Sequence, residues 1–422
     1  MEPTVIELFA GVGGFHLGLS KSGWKVVWAD QWEPGKKVQH AFECYNRHYP
    51  GICLNLDISK VEVRNIPDAT LLVGGFPCQD YSVATTKANG ITGKKGVLWW
   101  DIDRILKEKV HAGRPIPYVL LENVDRLLKS PTGQRGRDFG MILGCLNRLG
   151  YAVEWRVINA ADYGFPQKRR RTFIFATRPK SVIKALYEST PAEKVILSQG
   201  FFAPSFKVKL NGECRSAILE EDLQSISDNF KFKFENSGYM VRGKIQTCNV
   251  IPKFNGRKMT LRDVLVPDAD DEFYVNEGDI GEEGSDTINK KTWRYCKGAK
   301  AEYRKDKNGY EYHYTEGAIP FPDRLDEPSR TLLTSDGNKR PNRVSHIILD
   351  PTNGRYRILT PVECERLNGF DDNWTLGMPT RWRYFCMGNA LVVGLVEIMG
   401  KRLMEIINDP KVSSRVKRID EF

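Results

Sequence analysis

"TVIELFAGVGGFHLGLSKSGWKVVWAD", residues Thr4 to Asp30, decides how the rest of the chain is read. "TVIELFAG" is a short, nearly continuous apolar run of the kind that forms a buried strand. "GGFHLGLSKSG" then reads as a short helix closed by Gly23, and "WKVVWAD" as a second strand. A glycine turn between a buried strand and a helix lets the backbone approach a ligand at the helix N-terminus.

The alternation continues to residue 178. "EPGKKVQHAFECYNRHYP" puts Val38, Ala41, Phe42 and Tyr45 on one helical face, and "TLLVGG" reads as a strand. Leu98, Ile102, Ile105 and Leu106 mark the next helix, "YVLLENV" a strand, "FGMILGCLNRLG" a helix ended by Gly150, and "TFIFAT" closes the pattern. Strands alternating with amphipathic helices predict a parallel sheet covered on both faces. From about Pro179 to Pro322 the alternation fades, which suggests a second domain built differently. "PVECERLNGF" looks helical, and the last helix carries Leu395, Ile398, Met399 and Leu403 along one side.

Length and charge bound the function. A chain of 422 residues suits roughly two or three compact units. Lys and Arg exceed Asp and Glu by ten, a balance that fits a polyanionic partner such as nucleic acid as well as a merely soluble basic protein. The chain has no apolar run of about 18 residues and no N-terminal secretory pattern, so a soluble, intracellular protein is expected. Its nine cysteines are scattered and form no Cys-x-x-Cys pair, which argues against disulfide frameworks and zinc knuckles. No metal site is expected.

Three motifs fall just after strands, where an open sheet binds its ligand: Phe9 to Gly14, Pro77-Cys78 and Glu122-Asn123-Val124. The first could be a plain tight turn, but Asp30, Glu33 and Asp57 after the next strands can accept ribose hydroxyls or an adenine amino group. A cysteine is often an inert buried side chain. Cys78 instead follows Pro77 and two glycines at a strand's carboxyl end, a setting that presents a thiol. Glu122 is an acid directly after "YVLL" and needs a partner or a cleft. "FPQKRRRTFIFA" adds Gln167, Arg169, Arg170 and Arg171, which are either a solvated surface or cleft-lining groups for a base or phosphate.

In order, "ELFAGVGGF", "GGFPCQ", "LLENV", "PQKRRR", "RILTPVECERLNGF" and "YFCMGNAL" span nearly the whole chain. The ordered set resembles the DNA cytosine-5 methyltransferases of bacterial restriction-modification systems. The resemblance implies an α/β fold: a Rossmann-like S-adenosylmethionine-dependent methyltransferase sheet with helices on both faces, plus a smaller, irregular, mostly β target-recognition domain. It places a catalytic and cofactor-binding domain at 1–178, completed by about 380–410, a recognition domain and hinge at 179–379, and a basic tail at 411–422.

The resemblance further implies that Cys78 adds to carbon 6 of a cytosine flipped out of duplex DNA, so that carbon 5 accepts the methyl group. Glu122 matches the acid at ring nitrogen 3, Arg169 the arginine near the base's carbonyl oxygen, and Gln167 and Arg171 its supports. For the cofactor, S-adenosylmethionine, the matching positions are Phe9, Gly11, Gly13, Trp32, Asp57, Ile58, Pro77, Leu98, Asn389 and Ala390. Gln31 stands where the family has a ribose-binding glutamate, so weaker cofactor binding is expected unless Asp30 or Glu33 compensates.

Gln79, Ser82, Lys290, Lys291, Arg294 and Lys297 are the expected DNA contacts, the last four from a basic stretch interleaved with Trp293, Tyr295 and Tyr303. A monomer is expected, working on duplex DNA in the bacterial cytoplasm, with a cognate restriction endonuclease in the same cell and no membrane partner. Two alternatives stay open. A tRNA cytosine-5 methyltransferase shares the fold but carries a Cys-Phe-Thr tripeptide, and no cysteine here precedes phenylalanine. A catalytically inactive DNA-binding relative would not need Cys78, Glu122 and Arg169.

Overall fold

Strand β1 (Thr4–Leu8) lies in the middle of the large sheet with Val5, Ile6 and Leu8 fully buried, which is why its apolar run is continuous and not alternating. The computed structural model describes residues 3–76, 98–178, 182–282, 292–306 and 308–409. Parallel to β1 run β2 (Lys25–Asp30) on one side and β4 (Leu71–Gly75) on the other. β3 (Cys53–Leu54) extends the β2 edge, and β5 (Tyr118–Val124) the β4 edge. Helix α1 (Gly14–Ser20) follows the glycine turn and α2 (His40–His48) follows β2. Val38 lies before α2 and is exposed, so it does not share the face expected of it.

The sheet is mixed, where the alternation suggested a parallel one. Both β6 (Ala152–Asn159) and β7 (Arg170–Thr177) run antiparallel to their neighbours, in the order β3-β2-β1-β4-β5-β7-β6. β6 has no clear apolar signature because Glu154 and Arg156 are completely buried on one of its faces. Glu154 accepts hydrogen bonds from the Tyr187 hydroxyl and from the Phe201 and Phe202 amides. Arg156 donates to the Phe206 and Ile196 carbonyls. Buried charges survive where each is hydrogen-bonded in this way.

Those partners come from a segment that also adds strands. After β8 (Val208–Leu210) come β9 (Arg215–Ile218), β10 (Ser237–Val241) and β11 (Lys244–Cys248). β10 pairs antiparallel with β6, and β11 and β9 carry the sheet to ten strands. The chain accordingly divides into units at 1–163, 169–256 and 392–422, and at 164–168 and 257–391. The change in character after Pro179 therefore does not start a new unit, because the free edge of β6 recruits the next 75 or so residues into the same sheet.

On one face of the sheet, Trp99, Ile102, Ile105 and Leu106 of the helix Leu98–His111 and Phe139, Ile142, Leu143 and Leu146 of the helix Arg137–Arg148 join Ile6, Leu72, Val119 and Leu121 in one core. On the other, α1 packs against the helix Val393–Asn408 so closely that a Cβ on Gly18 would sit 2.8 Å from Val396. Burying each large apolar side chain is worth about 1.5–3 kcal/mol. Cys214 and Cys248 are disulfide-bonded, one bridge where the scattered cysteines argued against a disulfide framework, because the β9–β11 pairing brings residues 34 apart in sequence to a Cα separation of 4.2 Å. Among the described residues, Cys44, Cys53, Cys145, Cys296, Cys364 and Cys386 are not disulfide-bonded.

The second unit holds small antiparallel sheets: the hairpin β12 (Lys300–Lys305) and β13 (Glu311–Glu316), and the pair β14 (Ile347–Leu349) and β15 (Tyr356–Ile358). The helix Pro361–Asn368 opens with a capping box between Thr360 and Glu363, and Pro361 occupies its first turn.

Candidate active site

Two groups of functional residues lie at the carboxyl ends of the parallel strands in the first unit. After β1 the chain turns through Phe9, Gly11 and Gly13 at φ of 56°, 57° and 88°. This left-handed backbone suits the two glycines and strains Phe9. The loop is anchored to β2 twice. Ala10 donates its N–H to the Asp30 carbonyl at 2.9 Å, and Gly11 donates to Gln31 Oε1 at 2.7 Å. No atom lies within 4 Å of a Cβ built on Gly11, so the backbone there is open to a ligand.

Of the other expected cofactor residues, Trp32, Asp57, Ile58 and Leu98 follow β2, β3 and β4 in the same unit. Trp32 is 38% exposed, a partly open aromatic side chain. Asp57 caps a short helical turn by accepting from the Ser59 amide, and Ile58 is buried beside it. Leu98 begins the helix whose Arg104 bonds the Ile58 and Val61 carbonyls and Asp101. Burial, reinforced by the charges of Asp57 and Asp101, pushes the Asp30 carboxyl up to about 8.

Below the loop, Glu7 is completely buried and pushed up to about 8 by burial. Hydrogen bonds from Tyr45 and from the His16 and Phe15 amides hold it partly back. Tyr45 reaches Glu7 at 3.3 Å and His16 Nδ1 at 2.6 Å, and Tyr49 stacks on His16 at 3.4 Å. Sequence reading overlooked this network. Its only signal was an acid inside an otherwise apolar strand.

The second group is built on β4, β5 and β7. Glu122 pairs in register with Gly75, the last residue of β4, and a Cβ on Gly75 would sit 3.3 Å from Glu122 Oε2. Arg171 Nε forms an ion pair with Glu122 Oε1 at 2.7 Å without the alignment of a hydrogen bond, and both side chains are largely buried. Arg169 is buried and lowered to about 9 by burial and by Arg171, with Glu122 opposing. Asn123, not assigned a role from sequence, donates to the Phe76 carbonyl at 2.7 Å and so fixes the backbone immediately before Pro77. Arg170 points away, pairing with Asp125 at 3.2 Å among more exposed groups.

Pro77, Cys78, Gln79, Ser82, Lys290 and Lys291 lie outside the described residues. Gln167 belongs to the second unit, where its amide bonds the Leu367 carbonyl and Asn368 and accepts from the Leu332 amide, acting as a bracket. Asn389 ends the helix Thr380–Asn389 there, and the Ala390 amide caps it on Cys386.

One expected DNA contact takes another position. Lys297 is 1% exposed and donates to the Arg343 and Ser345 carbonyls, so its ammonium is a structural tie and not a phosphate contact. Arg294, which is partly buried, donates from Nε to the Gly281 carbonyl and lies over the Phe321 ring at 5.5 Å. Residue type and spacing could not distinguish Lys297 from an exposed cation.

Among the described residues no helix is long and apolar enough to cross a membrane. Comparison with known proteins identifies the family. Residues 3–405 match the model of the family described as C-5 cytosine-specific DNA methylase. The type II methyltransferase M.Sau3AI of Staphylococcus aureus is 47% identical over 414 residues, 95% of each chain, and M.NlaIV of Neisseria lactamica is 27% identical over 95% of this chain and 99% of its own. Among solved structures, the S. pombe Dnmt2 methyltransferase shares the fold with a TM-score of 0.56 at 16% identity, covering 96% of this chain and 99% of that one. The Entamoeba histolytica methyltransferase EhMeth does so at 0.55 and 14%, covering 97% and 98%. A glycine turn that exposes its backbone, a carboxylate held over the end of β4 by an arginine, and a family match across nearly the full length lead to one conclusion: the chain belongs to the C-5 cytosine-specific DNA methylase family and is a DNA (cytosine-5) methyltransferase.

Proposed function

We propose that this chain uses Cys78 as nucleophile and S-adenosylmethionine as methyl donor to modify a cytosine flipped out of a specific duplex DNA sequence. The observation that carries the reading is the Glu122 carboxylate, held at 2.7 Å by Arg171 beside the end of β4, the strand whose sequence runs on into Pro77 and Cys78. The Cys78 thiolate forms a bond to carbon 6, and the ring's electrons move toward nitrogen 3, where Glu122 hydrogen-bonds or protonates the base. Carbon 5 becomes electron-rich and takes the methyl group. A base removes the carbon 5 proton, and the electron pair of that bond restores the ring double bond as the thiolate leaves.

Bound S-adenosylmethionine supplies an electrophilic sulfonium methyl. The residues present suit such a ligand. Gly11 presents open backbone, Trp32 a partly open aromatic side chain, and Asp30, Asp57 and Asp101 an acidic surround for a hydroxylated cation. Arg171 fixes the Glu122 carboxylate, and Arg169 adds positive charge beside it for the base's carbonyl oxygen. Similarity to type II methyltransferases supports a role in the bacterial cytoplasm opposite a cognate restriction endonuclease, with the methyl mark protecting the shared site.

Expression in a host without cytosine methylation, followed by bisulfite sequencing, tests the reading and reveals the target sequence. Methylation at one sequence is expected, and none from Cys78→Ser. Unmethylated DNA from wild-type cells, or methylation surviving in Cys78→Ser, overturns it.

A further inference from the structure

We propose that Gln31 is a latch on the cofactor loop, and that the oxygen this site offers a ribose hydroxyl belongs to Asp30. The inference rests on the reading of the site as one for S-adenosylmethionine. Gln31 is buried, and its Oε1 already accepts the Gly11 N–H at 2.7 Å. That bond satisfies a backbone donor in the left-handed part of the turn, where no neighbouring strand or helix can. The glutamine therefore shapes the loop, and a glutamate in its place keeps an acceptor for the same N–H.

Asp30, the preceding residue and the last of β2, is 2% exposed, and its Oδ2 has no hydrogen-bond partner among the described residues. A buried carboxyl oxygen with nothing to accept is costly unless a ligand completes it. It alternates with Ala29 and so shares the sheet face of Trp28, which belongs to the same core as Ile58 and Trp99. The ionisable groups around it are Asp57, Asp101 with its partner Arg104 at 3.3 Å, and the Cys53 thiol of β3. Glu33, the other candidate, also keeps a buried carboxyl oxygen, Oε2, without a hydrogen-bond partner among the described residues, but it is less suited. Its charged neighbours are Lys36 and His40, and its backbone is bonded to Gln39, so it belongs to the turn leading into α2.

A hydroxyl donated to Asp30 favours the ionised carboxyl. Binding then expels a proton, and affinity rises with pH until the free carboxyl, held up to about 8 by burial and by Asp57 and Asp101, is itself ionised.

Titration calorimetry on the full chain separates the roles, with S-adenosylmethionine, adenosine and 2′,3′-dideoxyadenosine as probes. Neither nucleoside carries a group that titrates between about pH 6 and pH 9. Gln31→Ala is expected to weaken S-adenosylmethionine and both nucleosides alike, by about tenfold, while Gln31→Glu stays within about twofold of wild type. Asp30→Asn is expected to weaken adenosine, leave the dideoxy compound unchanged and flatten the rise of adenosine affinity with pH.

Tightening of about tenfold in Gln31→Glu would return the ribose to position 31 and overturn the proposal, even if Gln31→Ala fails to fold. Equal losses for both nucleosides in Asp30→Asn, or a wild-type pH profile in that variant, overturn the hydroxyl contact. A wild-type chain that binds no S-adenosylmethionine overturns the cofactor reading and this proposal together.

Discussion

In the second unit Arg357 is fully buried between Asp350 at 2.5 Å and Glu363 at 2.7 Å. In the first unit Glu7 and Asp30 are equally buried, yet each keeps a carboxyl oxygen without a hydrogen-bond partner. The consequences for ionisation are opposite. Burial opposes the Asp350 carboxylate, but bonds from Thr352 and Arg357 outweigh it and hold the group down to about 2. Glu7 and Asp30 have no such cation and are pushed up to about 8. Where buried charges are fully paired, the chain is stabilising itself. Asp30, at the carboxyl end of β2, keeps an oxygen that the proposed ribose contact would complete, whereas Glu7 belongs to the network of Tyr45 and His16.

Variants can break that contrast. Glu122→Gln, in the incomplete region, is expected to lower the turnover of duplex DNA about 10²–10⁴-fold with little change in melting temperature. A large loss of stability with near-normal turnover would make Glu122 a structural residue. Arg357→Met, in the paired region, strands two carboxylates in the interior and should cost about 3–5 kcal/mol in chemical denaturation. A cost below about 1 kcal/mol would show that the pairing contributes little.

Lys297→Met sharpens the same contrast for a cation. It removes the donor to two buried carbonyls, so a loss of about 1–3 kcal/mol is expected. The dependence of DNA affinity on salt should not change. A slope shallower by about one would mean that the lysine neutralises a phosphate after all.

The smallest effect concerns pH. Glu7 has a folded value above that of an unfolded glutamate, so the stability tied to its neutral form is complete below about pH 4 and lost as pH rises toward about 8. For Asp350 the sign is reversed, and its contribution is present above about pH 4 and lost as pH falls toward about 2. Hydrogen exchange should therefore show β1 amides less protected at pH 8 than at pH 5, and Glu7→Gln should flatten that trend. Unchanged protection in wild type would mean that Glu7 stays ionised when buried.

Much of the first unit was legible because buried parallel strands and one-sided helices imprint their environment directly on the sequence. β1, β2, β4 and β5 and the helices Leu98–His111 and Arg137–Arg148 fall where the apolar pattern put them. β6 escaped because Glu154 and Arg156 interrupt its apolar character, and only the segment 187–206 makes their burial tolerable. Glu122 was legible as an acid out of place in a strand. Lys297 misled, since a lysine whose ammonium is bonded indoors looks in sequence like any other.

By itself the sequence determined the family, the order of the motifs and the identities of the groups proposed for the chemistry, because these depend on residue type and spacing along the chain. Tertiary structure decided which polar groups are complete and which are not. Gln31 accepts from Gly11, Asn123 holds the Phe76 carbonyl, Arg171 claims Glu122, and Asp30 is left with an oxygen to offer. The physical reason is that the worth of a buried polar group depends on its partners within about 3 Å, and those partners come from strands and loops far away in sequence.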